Sequence, residues 1–133
     1  MAGTLASRSL SRPEPQSPPV WLELDQPRQD EDGDWVCALR VLEGDRVVAQ
    51  EEAMGSDALA AIIYAIGALK WHFDRSNLNA RWFFDEERGT GIPPYLPQGL
   101  GQEFDRHLVD LVEAAVRERA QELRKRDSGA SDD

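Results

Sequence analysis

The longest apolar stretch of the chain is SDALAAIIYAIGALKWHFDR, residues 56–75, with no charge from Ala58 to Leu69. Leu59, Ile62, Ile63, Ile66, Leu69 and Phe73 recur three and four apart, the spacing of one helical side. Ala61, Ala65 and Ala68 form a second side, and Tyr64 and Trp71 a third. A helix apolar nearly all round is a buried one. The uncharged run is too short for a bilayer, which takes roughly 20 apolar residues. The stretch is expected to be the central helix of a small domain.

Upstream the period changes from helix to strand. Val20, Leu22 and Leu24 alternate and predict a strand over 20–24. Residues 26–34 read as a loop with Pro27 and Gly33. In the next strand, 35–42, Trp35, Cys37, Leu39 and Val41 share one face, and Val36, Ala38, Arg40 and Leu42 the other. Two largely apolar faces point to a central strand. Glu43-Gly44-Asp45-Arg46 is a tight turn, with glycine where type II′ wants it, and a third strand follows over 46–51. Ser56 is the expected cap of the helix, Asp57 complements its positive end, and Asn77 suits its left-handed exit.

Downstream, ARWFFD at 80–85 reads as a fourth strand, because aromatics suit a pleated, half-buried surface. Residues 86–101 carry Gly89, Gly91, Pro93, Pro94 and Pro97 and form a stiff connector. A second helix is expected over 102–126, with Phe104, Leu108, Leu111, Val112 and Ala115 as its apolar stripe. The order β-β-β-α-β-α predicts an α+β domain: an antiparallel meander plus a fourth strand, with two helices packed on one sheet face. The Ile side of the first helix is expected on the sheet, and its Ala side against the second helix.

Composition sets the limits of that domain. Residues 1–19 are rich in Ser and Pro and are expected to be a disordered tail, 20–126 a single domain, and 127–133 a disordered acidic tail. The net charge is −10, and residues 20–60 hold eleven acids against three bases. Such a surface repels phosphate backbones and argues against direct nucleic-acid binding. It attracts a basic protein surface and speeds encounter with it. A single cysteine, Cys37, forms no internal disulfide, which with the lack of a signal-peptide pattern points to the cytoplasm.

Candidate chemistry is sparse. Asp30-Glu31-Asp32-Gly33-Asp34 offers hard oxygens, but counting from Asp30 puts Trp35 and Val41 where a calcium loop needs Gly and Glu. His72 and His107 each border an apolar helical face, and with Asp74 or Asp105 they are the residues a metal site would use. Cys37 lies inside a strand, where a thiol is an inert hydrophobe. Ser56 sits in M-G-S-D-A rather than G-x-S-x-G. Pro94-Tyr95-Leu96-Pro97 has the PxxP form but reads as a strap. Of the four tryptophans, Trp35 adjoins the acidic loop, where an aromatic beside carboxylates can anchor a basic partner.

Several segments together resemble a known family. Gly33-Asp34-Trp35-x-Cys37, Gly55-x-Asp57-x-x-x-Ala61, Trp82 and Gly91-Ile92-Pro93 are similar to a family of small bacterial proteins that form a domain of unknown function, over residues 20–116. The sequence departs from that pattern at Ala38 and at Phe83-Phe84. The resemblance implies a bacterial cytoplasmic origin and brings no activity, cofactor or catalytic residue with it.

The expected function is a non-catalytic interaction module, of which a toxin-neutralising immunity protein is one form. Asp30, Glu31, Asp32, Asp34 and Trp35 are its expected contacts with a basic protein partner. Neither a membrane nor a cofactor enters this reading. The alternatives are a small metal-dependent enzyme built on His72, His107 and nearby carboxylates, and a nucleic-acid mimic.

Overall fold

The computed structural model describes residues 3–82, 89–93 and 99–131. They belong to two compact units, Met1–Tyr95 and Leu96–Asp133, where one domain over 20–126 was expected. Among the described residues the architecture is α+β, with a five-stranded antiparallel sheet and two helices.

The first unit begins with β1, Thr4–Leu10, then β2, Val20–Asp25, and the two-residue β3, Arg28–Gln29. β4, Trp35–Glu43, and β5, Arg46–Gly55, complete the sheet. β2 and β3 share one flank of β4, pairing with Leu39–Glu43 and Trp35–Val36 respectively, while β5 takes the other flank. The break between β2 and β3 falls at Pro27, which has no amide to give to a ladder. β1 pairs with the remaining flank of β2, so β1 and β5 are the sheet edges.

β1 overturns the expected disorder of residues 1–19. Its composition is polar, but β2 offers a free ladder, and Leu10 is fully buried opposite Val20. The prolines are confined to the connection after it, where Ser17 N donates to Glu14 O at 3.1 Å.

β4 is the central strand that its two apolar faces predicted. Cys37, Leu39 and Val41 on its inner face have no exposure, and with Val20, Leu22 and Leu24 of β2 they form the core floor. The turn into β5 carries its positive φ on Gly44 alone, at 59°, as type II′ requires. β5 runs to Gly55, four residues beyond the expected end, with one register shift between Val41 and Leu42.

α1, Ala58–Ser76, covers the inner face. Its cap is Asp57 rather than Ser56: the Asp57 carboxylate accepts from Ala60 N at 2.7 Å. It ends on Asn77 in the left-handed region, φ 59°, as expected. The row it buries is Ala61, Ala65, Leu69 and Phe73, each one turn apart. This corrects the expected orientation. The two alanines sit over the sheet, Ile62 and Ile66 flank them half-buried, and Leu59 is 66% exposed. Short side chains let the helix start approach β5 closely, which larger ones would prevent.

Beyond α1, the expected strand over 80–85 is represented by one bridge, Ser11 to Arg81, and residues 83–85 lie outside the described residues. The second unit contains α2, Gln102–Ser131. The helix continues past the expected end at Arg126, through most of the expected acidic tail. Its exposed ladder includes Arg117 to Glu113 at 3.8 Å and Arg119 to Glu122 at 3.0 Å.

Candidate functional site

β5 passes into α1 through Gly55-Ser56-Asp57, so strand edge and helix lie side by side and diverge from a tight start. Between them is an open trough of about 770 Å³, lined on the strand side by Glu51, Glu52, Ala53 and Met54. The helix contributes Tyr64, Gly67, Ala68, Trp71 and His72. Gly67 and Ala68 leave the space, and Tyr64 and Trp71, two turns apart on one face, stand at either end of it.

Glu51 faces the helix because it pairs with Leu39, whose side chain lies in the core. It meets His72, with Oε2 and Nε2 2.7 Å apart. The His72 ring is edge-on to Trp71, centroids 4.9 Å apart at 90°. Arg75 lies over the Trp71 ring, 4.1 Å from its centroid. Trp71 is nevertheless 53% exposed, so its ring is held by neighbours and open to solvent. On the opposite sheet face Glu52 pairs with Arg28 at 3.0 Å.

The acidic loop is the tip of the β3–β4 hairpin, and it ends beside the trough, since Trp35 pairs with Gly55 and Val36 with Met54. Asp30 is its internal brace. Its Oδ1 accepts from Asp32 N at 3.0 Å and Asp34 N at 2.9 Å, while Gly33 takes φ 88°. Glu31, Asp32 and Asp34 are exposed. Among the described residues no basic side chain pairs with any of the four acids. Trp35, the expected anchor, is half-buried and packs on the core cluster. The exposed aromatic near this edge is Trp71, which its position off the Ile side had marked without assigning it a role.

Other chemistry-bearing groups serve the fold. Arg40, on the outer sheet face, makes a two-pronged contact with Asp25, at 2.6 and 3.0 Å, and reaches Glu23 at 3.2 Å. The Asp25 hydrogen bonds above all hold its proton more firmly than in free arginine. The Cys37 thiol is pushed up, first by burial and then by the Asp25 charge, so it is a poor nucleophile. Its Sγ donates to Asp25 O at 3.3 Å. Arg8 of β1 lies over the Trp82 ring at 3.8 Å and donates to Thr90 O at 3.0 Å, clasping residues 89–92 to the sheet. A Cβ on Gly91 would collide with that ring.

His72 and His107 belong to different units. Among the described residues no three His, Cys, Asp or Glu side chains are grouped to hold a metal ion. Nor is any described helix long and apolar enough to cross a membrane. Pro94-Tyr95-Leu96-Pro97 lies outside the described residues.

The model of one family, DUF6968, a domain of unknown function, matches residues 6–94. The chain belongs to DUF6968. The match starts in β1 and ends one residue before the boundary of the first unit, so the DUF6968 domain comprises the sheet, α1 and the Arg8 clasp. It begins earlier and ends earlier than the expected span of 20–116, leaving α2 outside. No curated protein matches the chain, and no solved structure does. The residues that carried the resemblance have structural tasks here. Gly33 makes a turn, Cys37 and Ala61 are buried, Gly55 admits the helix, Asp57 caps it and Gly91 admits Trp82.

Proposed function

We propose that this DUF6968 chain is a non-catalytic binding module that engages a basic surface of a protein partner in a bacterial cytoplasm. The observation that carries the reading is the hairpin tip. Glu31, Asp32 and Asp34 are exposed, no basic side chain among the described residues pairs with them, and the tip runs into Trp35 and Val36, which pair with Gly55 and the trough-lining Met54. Carboxylates left unneutralised at a rim act mainly on encounter with an opposite charge. Asp30 belongs to this tip as its brace, and Trp35 supports it from the core side.

The test starts from a partner captured from the host extract at low salt. Glu31→Gln, Asp32→Asn and Asp34→Asn together leave the Asp30 brace intact. They should slow association with that partner much more than they hasten dissociation. Raising salt should mimic them, since the Debye length falls from about 10 Å at 0.1 M to about 3 Å at 1 M. A partner that associates equally fast with the neutralised tip, at both salt concentrations, overturns the reading.

A further inference from the structure

β5 is ten residues long and, among the described residues, pairs with β4 alone. Its other flank presents backbone donors and acceptors to solvent, a template for a further strand. Edges of this kind are commonly blocked by lysine, by proline or by a charge turned inward. Between Val47 and Gly55 β5 has neither lysine nor proline, and its inward charge, Glu51, is taken up by His72 at 2.7 Å.

The register fixes what an added strand would meet. Ala49, Glu51 and Ala53, opposite Val41, Leu39 and Cys37, face α1 and the trough. Gln50 and Glu52, opposite Arg40 and Ala38, face the other side. An extended segment laid along this edge would turn alternate side chains into the trough between Tyr64 and Trp71, over Gly67 and Ala68. Its intervening side chains would come beside Glu52.

We propose that the β5 edge and the trough bind an extended segment of a partner protein by strand addition. The segment alternates apolar residues, which enter the trough, with Lys or Arg, which face Glu52 and the hairpin tip. This rests on the reading of the chain as a module for a basic partner, and it names the site and the chemistry recognised. Charge decides against a second copy of this chain, because pairing two β5 edges would crowd the Glu51-Glu52 pairs of both copies at one seam. The present cation on Glu52 is Arg28, and their side chains are 49% and 55% exposed, a weakly held surface pair that an arriving cation displaces readily. Backbone pairing supplies affinity in such a mode, and the pockets beside it supply selectivity.

The probe is a capped octapeptide of alternating valine and lysine, with the same peptide N-methylated at every backbone amide as its control. The control has the same charge and no backbone N–H to donate along a ladder. Both are titrated into the full chain at low salt, followed by amide and indole chemical shifts. The valine–lysine peptide should shift the amides of 46–55 and the Trp71 indole, and the control should not. Trp71→Ala, at an exposed ring, should leave the fold intact and weaken binding by about tenfold, the loss of a modest anchor. Shifts confined to residues 30–34 with both peptides overturn strand addition while leaving the basic-partner reading standing. Absence of any β5 shift with the valine–lysine peptide overturns the inference whatever the host extract yields. A concentration-dependent dimer with protected β5 amides, in the absence of peptide, assigns the edge to a second copy and overturns it as well.

Discussion

Gly55 lies so close to the first turn of α1 that a Cβ on it would stand 2.5 Å from the Ala61 amide nitrogen and 2.8 Å from the Ala60 Cβ. Its backbone is not in the left-handed region, so the need for glycine here is one of space. This contact sets where the helix leaves the sheet, and hence the opening of the trough beside β5.

Gly55→Ala should therefore destabilise the first unit by about 1–3 kcal/mol, the usual cost of forcing atoms into a packed site. Urea unfolding measures it as a lowered midpoint with an unchanged slope. Gly3→Ala, where a Cβ meets nothing within 4 Å, is the control and should be near neutral. Equal midpoints for the two variants would show that the helix start yields, and that the trough is not held open by this contact.

Leu10 tests whether the N-terminal strand is part of the fold. It is fully buried at the end of β1, opposite Val20. Leu10→Ala should cost about 2–5 kcal/mol, as large-to-small changes in a core do. Removal of residues 1–10 should cost more, because it also uncovers the ladder of β2 and releases the Arg8 clasp on Trp82 and Thr90. A truncated chain with the melting temperature of the full one would return the segment to the status of a tail.

Glu43 gives the stability a defined response to acid. Arg12 Nη1 lies 2.7 Å from its Oε2, and Arg46 Nη2 lies 2.6 Å from its Oε1. The hydrogen bond from Arg12 first, then that from Arg46, holds its carboxyl below the usual range. A lowered carboxylate stabilises the folded state fully above its unfolded value, about 4.3. That contribution drains away as pH falls through the lower, folded value. Glu43→Gln should flatten the decline of stability below about pH 4.3, read from urea midpoints across the acid range. Superimposable pH profiles for the two proteins would remove Glu43 from the acid response.

The sequence by itself determined what depends on neighbours along the chain. Alternation of Val20, Leu22 and Leu24, the two apolar faces of 35–42, glycine at the first central position of the β4–β5 turn, and the three-and-four spacing of α1 are local patterns. Each is present at its expected place. Asn77 ends α1 for the same reason, since a left-handed residue is a property of one backbone position.

Only the tertiary structure decided matters whose partners are remote. β1 exists because β2 has a flank to offer, which nothing between residues 4 and 10 announces. The choice of Ala61 and Ala65 for the sheet follows from the distance at which β5 delivers the helix, where periodicity alone favoured the isoleucines. How far Trp35 and Trp71 are covered is set by what packs opposite: Trp35 meets the core, and Trp71 lines the trough. The trough itself joins residues 51–54 to residues 64–72 across a strand edge, a surface no local pattern encodes.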